Sequence, residues 1–190
     1  MFLAKSAAIF FPAMYPKSLP VIAVLVCLQA CAAVKDAYTE QRPFTLERVR
    51  EDVRASFPSV RQLSTSALAS QLANHGNIVL FDVRKPQEYT VSHLPGAVRV
   101  DPEADVESIL ATKDITKKTV VFYCSVGVRS SKMAKQVQPE LLRKGAIAVF
   151  NLDGGIFAWH NEERPLRDNY GATDFVHPFD RRYQSLLRRQ

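Results

Sequence analysis

The architecture follows from the segment Cys124-Ser125-Val126-Gly127-Val128-Arg129-Ser130 and from its two flanks. The apolar, β-branched run Thr119–Tyr123 before it predicts a buried strand, and the helix formers of residues 131–142 after it predict a helix. The segment is therefore a tight loop that joins the carboxyl end of a strand to the start of a helix. A cysteine at this point meets the positive end of the helix dipole and the successive N–H groups of the loop.

The residues of this loop favour an anionic sulfur on Cys124, the candidate catalytic residue. Gly127 permits the positive φ with which the loop turns back, and Arg129 places a permanent cation within one turn of the sulfur. We expect Ser130 or Ser131 to cap the helix that follows. Because the thiolate is the nucleophilic form of cysteine, this loop predicts nucleophilic chemistry.

Four motifs stand in order along the chain. They are residues 81–89 (FDVRKPQEY), 93–97 (HLPGA), 124–130 (CSVGVRS) and 152–159 (LDGGIFAW). In sequence and order they resemble the motifs of the single-domain rhodaneses, which are sulfurtransferases, and the match extends from about residue 60 to residue 166. Since four motifs agree in register, the chain is identified as a member of this family.

The resemblance implies an α/β fold, with a single rhodanese-like domain whose central parallel sheet is flanked by helices on both faces. Alternating strand and helix patterns in the chain predict the same architecture. No internal repeat is present, so we expect one domain and not a tandem pair. The expected organisation is a signal or lipoprotein leader (1–33), a tether and amphipathic helix (34–58), the rhodanese domain (59–168) and a basic C-terminal extension (169–190).

The resemblance also implies a two-step sulfur transfer at Cys124. The thiolate takes the outer sulfur of a donor such as thiosulfate, and the resulting persulfide passes that sulfur to a thiol or to cyanide. Loop N–H groups from Ser125 to Ser130 are expected to bind the substrate and the persulfide, in the manner of an oxyanion hole. No metal or organic cofactor is expected, since no ligand cluster is evident in the sequence.

Three charged residues are expected to support this site. We interpret Asp82 and Arg84 as a structural pair beneath it, because sulfur transfer from a thiolate needs little proton transfer. Arg129 is expected to order the loop by pairing with a carboxylate, either Glu88 or Asp82, and to add positive potential.

Two alternatives to a sulfurtransferase remain open. One is a non-enzymatic periplasmic module that carries sulfur or binds a partner. The other is a cysteine phosphatase or arsenate reductase, whose loops resemble this one but contain one more residue between cysteine and arginine. Only four residues separate Cys124 from Arg129, and the shorter loop favours sulfur over a tetrahedral phosphate ester.

The N-terminal sequence predicts that the protein is exported. An apolar run at 19–28 follows Lys17 and is typical of a signal-peptide core. The run ends in residues 28–31 (LQAC), similar to the bacterial lipoprotein box, so Cys31 is the candidate lipidation site and would anchor a periplasmic protein to a bacterial membrane. A plain small-residue cleavage site and an uncleaved anchor are the alternatives. If Cys27 leaves with the leader, Cys124 is the free thiol of the mature protein.

The net charge of +6 is concentrated at the two ends of the chain. The first thirty residues contain lysines and no acidic residue. Residues 178–190 contain four arginines and one acidic residue, Asp180. The remaining body is nearly neutral, which argues against a nucleic-acid-binding surface. We expect the C-terminal tail to wrap the domain surface, where its arginines could meet anionic lipid.

Overall fold

The computed structural model describes residues 43–188, which lie within one compact unit. The predicted leader at 1–33, with its candidate lipidation site Cys31, and the predicted tether up to residue 42 lie outside the described residues. Among the helices of residues 43–188, none has the length and apolar character that crossing a bilayer requires.

A five-stranded, wholly parallel sheet forms the centre of the fold, which confirms the predicted α/β architecture. Its order is β1-β5-β4-β2-β3. The strands are β1 (Arg61–Leu63), β2 (Ile78–Asp82), β3 (Val98–Arg99), β4 (Thr119–Tyr123) and β5 (Ala148–Leu152). The strand that precedes the cysteine loop, β4, is therefore the middle strand of the sheet.

Helices alternate with these strands along the chain. They are α1 (Leu46–Ser56), α2 (Thr65–Ala73), α3 (Pro86–Val91), α4 (Val106–Thr112), α5 (Val128–Arg143), α6 (Gly155–Asn161) and α7 (Arg181–Gln184). A short antiparallel hairpin, β6 (Leu166–Arg167) and β7 (Ala172–Thr173), follows α6. One core cluster holds side chains of α1, α2 and α6, and a second holds side chains of α4 and α5. The sheet thus has helices on both faces.

The side chains of β4 show why this strand is uniformly apolar. Val121 and Tyr123 belong to the first core cluster, whereas Val120 and Phe122 belong to the second, as the two-residue period of a strand requires. All four are fully buried, and burial of such a side chain contributes roughly 1.5–3 kcal/mol. Both faces of β4 are therefore fixed by packing, and the residue that follows it, Cys124, is held in a defined position.

The start of α5 differs from the expectation. The N-cap is Gly127, with φ of 102°, and Ser130 and Ser131 lie inside the helix instead of capping it. The Ser130 hydroxyl donates to Asn151 Oδ1 at 2.6 Å. The predicted serine cap is therefore wrong, because the left-handed glycine ends the loop early and leaves both serines buried inside the helix.

The amphipathic helix predicted before the domain is present as α1. The hydroxyl of its N-cap, Thr45, accepts a hydrogen bond from the Arg48 N–H at 3.2 Å. Val49 and Val53 are the buried residues of its apolar face. The helix packs these residues into the first core cluster and does not present this face to solvent.

Candidate active site

Cys124 lies at the carboxyl end of β4, as predicted, with its side chain 1% exposed. Its Sγ accepts a hydrogen bond from the Gly127 N–H at 3.2 Å. Cys124 lines a cavity of about 110 Å³ together with the loop residues Ser125, Val126, Val128 and Arg129. The structure thus brings the predicted nucleophile and most of its predicted loop together around one small space.

The N-terminus of α6 holds the loop from behind. The N–H of Ile156 donates to the carbonyl of Cys124 at 2.9 Å, and the N–H of Phe157 donates to the carbonyl of Ser125 at 3.0 Å. In a trans peptide the N–H points away from the carbonyl, so these bonds direct the loop's own N–H groups away from α6. Gly155 permits this approach, because a β-carbon there would collide with the carbonyl oxygens of Cys124 and Ser125.

Arg129 forms a forked ion pair with Glu88, and not with Asp82. Its Nη1 and Nη2 atoms each lie 2.7 Å from a different carboxylate oxygen of Glu88. The Ser125 hydroxyl completes the network: it donates to Glu88 Oε1 at 3.0 Å and accepts from Arg129 Nη2 at 2.9 Å. The second residue of the loop is therefore fixed by a carboxylate from α3.

The pKa values of this pair reflect competition between burial and hydrogen bonding. Burial acts to raise the pKa of Glu88, but the hydrogen bonds from Arg129 and from the Lys85 N–H outweigh it and lower the pKa to about 2. Burial acts to lower the pKa of Arg129, but its bond to Glu88 and its attraction to the Cys124 sulfur raise it above its ordinary value. Both groups are therefore charged at neutral pH, and Glu88 offsets much of the positive potential of Arg129.

Asp82 and Arg84 form a separate, fully buried pair. Arg84 Nη2 lies 2.7 Å from Asp82 Oδ2, and Arg84 Nε is within hydrogen-bond distance of both carboxylate oxygens. Arg84 also donates to the carbonyl of Ser92, and its guanidinium lies 5.9 Å from the ring centre of Tyr123. Neither residue lines the cavity at Cys124. The geometry assigns them to the packing beneath the site.

Two residues of the cavity wall were missed by the sequence reasoning. Phe179 and Tyr183, from the predicted C-terminal extension, line the same cavity as Cys124. Glu88 was named only as one of two candidate partners for Arg129.

Within residues 43–188, no group of three or more His, Cys, Asp or Glu side chains is placed to hold a metal ion.

Comparisons with known proteins match the sequence to one family of domains. The sequence model of the Rhodanese-like domain family matches residues 65–162. A putative sulfurtransferase of Bacillus subtilis, YtwF, is 28% identical over 106 residues, which cover 56% of this chain and 96% of that protein. A sulfurtransferase of Allochromatium vinosum is 29% identical over 107 residues, which cover 56% of this chain and 94% of that protein.

A solved structure shows the same fold. The crystal structure of a thiosulfate sulfurtransferase from Pseudomonas aeruginosa superposes with a TM-score of 0.52 at 20% sequence identity. The aligned region covers 72% of this chain and 25% of that one.

Proposed function

Since the chain belongs to the rhodanese-like domain family, we propose that it moves sulfane sulfur from thiosulfate or a persulfide donor to an acceptor through a persulfide on Cys124. The relatives named sulfurtransferases support a function of sulfurtransferase type. Our proposal adds to this function the identity of the donor, the identity of the acceptor and the persulfide on Cys124.

The proposed reaction has two balanced steps. The Cys124 thiolate attacks the outer sulfur of thiosulfate, the sulfur–sulfur bond of the donor breaks, and its electron pair leaves with sulfite. In the second step cyanide, or an acceptor thiolate, attacks the outer sulfur of the persulfide. The persulfide bond then breaks and its electron pair returns to Cys124, so that thiocyanate or a new persulfide leaves. Neither step needs an added oxidant or reductant.

The observation that carries the proposal is the position of the Cys124 sulfur. The sulfur accepts a hydrogen bond from the Gly127 N–H, and Cys124 lines the cavity. The N–H groups of Ile156 and Phe157 in α6 donate to the loop carbonyls of Cys124 and Ser125. The loop N–H groups are thereby left to stabilise a sulfur anion, first the thiolate and then the persulfide. The same arrangement suits attack on sulfur, because a thiolate is a strong nucleophile.

Two features favour sulfur chemistry over phosphate-ester hydrolysis. The loop places only four residues between Cys124 and Arg129. Glu88 takes both ends of the Arg129 guanidinium, so the side chain that would clamp a phosphate is already engaged. A phosphatase would need this arginine free to meet the anion.

The test is to incubate the purified protein with thiosulfate, record its intact mass, and then add cyanide. We expect the mass of one sulfur atom to be gained and then lost as thiocyanate forms, and Cys124→Ser to show neither change. A persulfide that forms but never turns over would support the sulfur carrier instead of the enzyme. Hydrolysis of p-nitrophenyl phosphate faster than consumption of thiosulfate would refute the sulfur reaction.

We also propose that the protein is exported to the periplasm and anchored by lipid on Cys31. The proposal rests on the apolar run at 19–28 and on the lipoprotein-like residues 28–31. Labelling cells with radioactive palmitate tests it: the wild-type chain should incorporate label and sediment with membranes, whereas Cys31→Ser should do neither. A wild-type chain that stays unlabelled would exclude lipidation.

A further inference from the structure

The segment 174–188, named here the C-terminal strap, lies beyond the residues that the family model matches. Both of its ends are attached to the last turn of α6. His160 Nε2 is 2.9 Å from the carbonyl oxygen of Asp174, and Asn161 Nδ2 donates to the carbonyl of Leu186 at 2.8 Å. The side chain of Leu186 is buried in the first core cluster. The strap therefore follows a defined path over the domain.

Between these anchors the strap makes a strained turn at Phe179. This residue has φ of 67°, a left-handed conformation that a bulky side chain rarely adopts. Its N–H donates to His177 Nδ1 at 3.0 Å, and the next residue, Asp180, caps α7 by accepting the Tyr183 N–H at 2.8 Å. Strain of this kind persists only where surrounding contacts fix the conformation, and it is common at functional sites.

The turn places the ring of Phe179 on the active-site loop, and Tyr183 lines the same cavity. The guanidinium of Arg129 lies 4.9 Å from the ring centre of Phe179, which is cation–π distance. Tyr183 packs edge-on against Phe179 at 5.3 Å and against Phe44, from the segment before α1, at 5.5 Å. Phe179 is 41% exposed, so its ring lies at the open side of the cavity, in contact with Arg129 and Tyr183.

The cavity that these rings border is small and partly open to solvent. Its volume of about 110 Å³ corresponds to roughly four water molecules. An ion such as cyanide fits that space, whereas the remaining atoms of a tripeptide thiol such as glutathione would meet the two rings when its sulfur approaches Cys124.

From these observations, and resting on the proposed sulfurtransferase function, we propose that Phe179 and Tyr183 determine substrate selectivity. Their rings admit compact inorganic sulfur compounds and cyanide to Cys124 and exclude bulky thiols.

The experiment compares two acceptors with thiosulfate as the donor. The value of kcat/KM is measured for cyanide and for glutathione in the wild type, Phe179→Gly and Tyr183→Ala. Glycine suits the left-handed turn, so Phe179→Gly removes the ring without adding backbone strain. Phe175→Ala is the matched control, since Phe175 is an exposed ring on the same strap that does not line the cavity.

We expect the ratio of kcat/KM for glutathione to that for cyanide to rise about tenfold or more in both cavity variants and to stay unchanged in the control. Thermal melting identifies any variant that fails to fold. An unchanged ratio in both folded cavity variants would overturn the proposal.

A second measurement does not depend on sulfur transfer. The rates at which iodoacetamide and a bulky fluorescein maleimide modify the Cys124 peptide are followed by mass spectrometry. We expect the bulky reagent alone to react faster in the cavity variants. If the wild type forms no persulfide but the two reagents still differ in this way, the proposed function fails and the size selection by Phe179 and Tyr183 stands. If the reagents show no such difference, the size selection itself is refuted.

Discussion

Gly155 packs directly against the backbone carbonyl of Cys124, at a separation that leaves no space for a side chain. A β-carbon at Gly155 would also lie 2.6 Å from the carbonyl oxygen of Ser125. The contact lets the amides that follow in α6 bind both loop carbonyls. The orientation of the catalytic loop therefore depends on a glycine some thirty residues further along the chain.

Gly155→Ala should disrupt the active site more than its small size suggests. The added methyl group collides with two carbonyls that cannot move without breaking the loop, and φ at this position is 58°. We expect the free energy of unfolding to fall by about 3 kcal/mol and the rate of persulfide formation to fall with it. Urea unfolding and thiosulfate loading measure the two effects.

Gly96→Ala is the control for that substitution. Gly96 has φ of 76°, a comparable left-handed conformation, but a β-carbon there meets nothing within 4 Å. Gly96→Ala should therefore lower the free energy of unfolding through backbone strain alone, without a steric collision. Equal losses of unfolding free energy and of persulfide formation in the two variants would mean that the contact of Gly155 with Cys124 has no separate effect.

The Glu88 carboxylate should make stability depend on pH in the acid range. Its pKa is lowered from 4.5 to about 2 in the folded protein, so its ionisation stabilises the fold fully above pH 4.5 and the effect disappears as the pH falls towards 2. The corresponding contribution at neutral pH is about 3 kcal/mol. We expect Glu88→Gln to lower the free energy of unfolding at pH 7 and to differ much less from the wild type near pH 2.

Glu140→Gln supplies the comparison, because Glu140 also pairs with an arginine, Arg143, but does so on the surface. Exposed ion pairs contribute little. The pKa of Glu140 is also lowered by its bond to Arg143, but solvent screens that pair, so urea unfolding at several pH values should show a much larger pH effect for Glu88→Gln than for Glu140→Gln. A constant difference between Glu88→Gln and the wild type over this range would contradict the assignment.

Arg129→Lys separates the charge of Arg129 from its geometry. Lysine keeps the positive charge but cannot form the forked pair with Glu88 that also holds Ser125. We expect persulfide formation to slow by about tenfold or more, nearly as far as in Arg129→Ala, because the order of the loop is lost in both. Single-turnover kinetics with thiosulfate measure this, and a lysine variant as fast as the wild type would show that charge alone suffices.

Asp82→Asn should affect folding and not catalysis. It leaves Arg84 buried without its counter-ion, and breaking such a pair costs about 3–5 kcal/mol. Once activity is corrected for the folded fraction, kcat should stay close to the wild-type value. Asp101→Asn is the control, since Asp101 is exposed and only loosely paired with Arg99. A large loss of kcat in folded Asp82→Asn would place Asp82 in the reaction.

Local sequence determined the main features of the fold and the position of the candidate nucleophile, Cys124. Period, burial and β-branching identify β4 without reference to any other element, and Gly127 marks the turn that follows it. These features depend on residues that are neighbours in the chain, so they can be inferred from the order of residues alone. The resemblance of the four motifs adds the family, which the match over residues 65–162 shows.

The tertiary structure decided which distant residues meet at the site. Asp82 and Glu88 both precede Arg129 by more than forty residues, and sequence distance cannot choose between them. The sheet does so: Asp82 lies in β2 opposite Tyr123, facing Arg84, while α3 brings Glu88 to Arg129.

The same dependence on contacts between distant residues explains why the sequence did not predict Phe179 and Tyr183 in the wall of the cavity. In the sequence, Phe179 and Tyr183 are two aromatic residues four positions apart in a basic tail. Only the path of the strap brings them to Cys124. The sequence alone predicted the parallel sheet and the candidate nucleophile Cys124, because both predictions depend on residues that are neighbours in the chain. The partner of Arg129 and the shape of the cavity depend on packing between elements far apart in the chain, which only the folded protein defines.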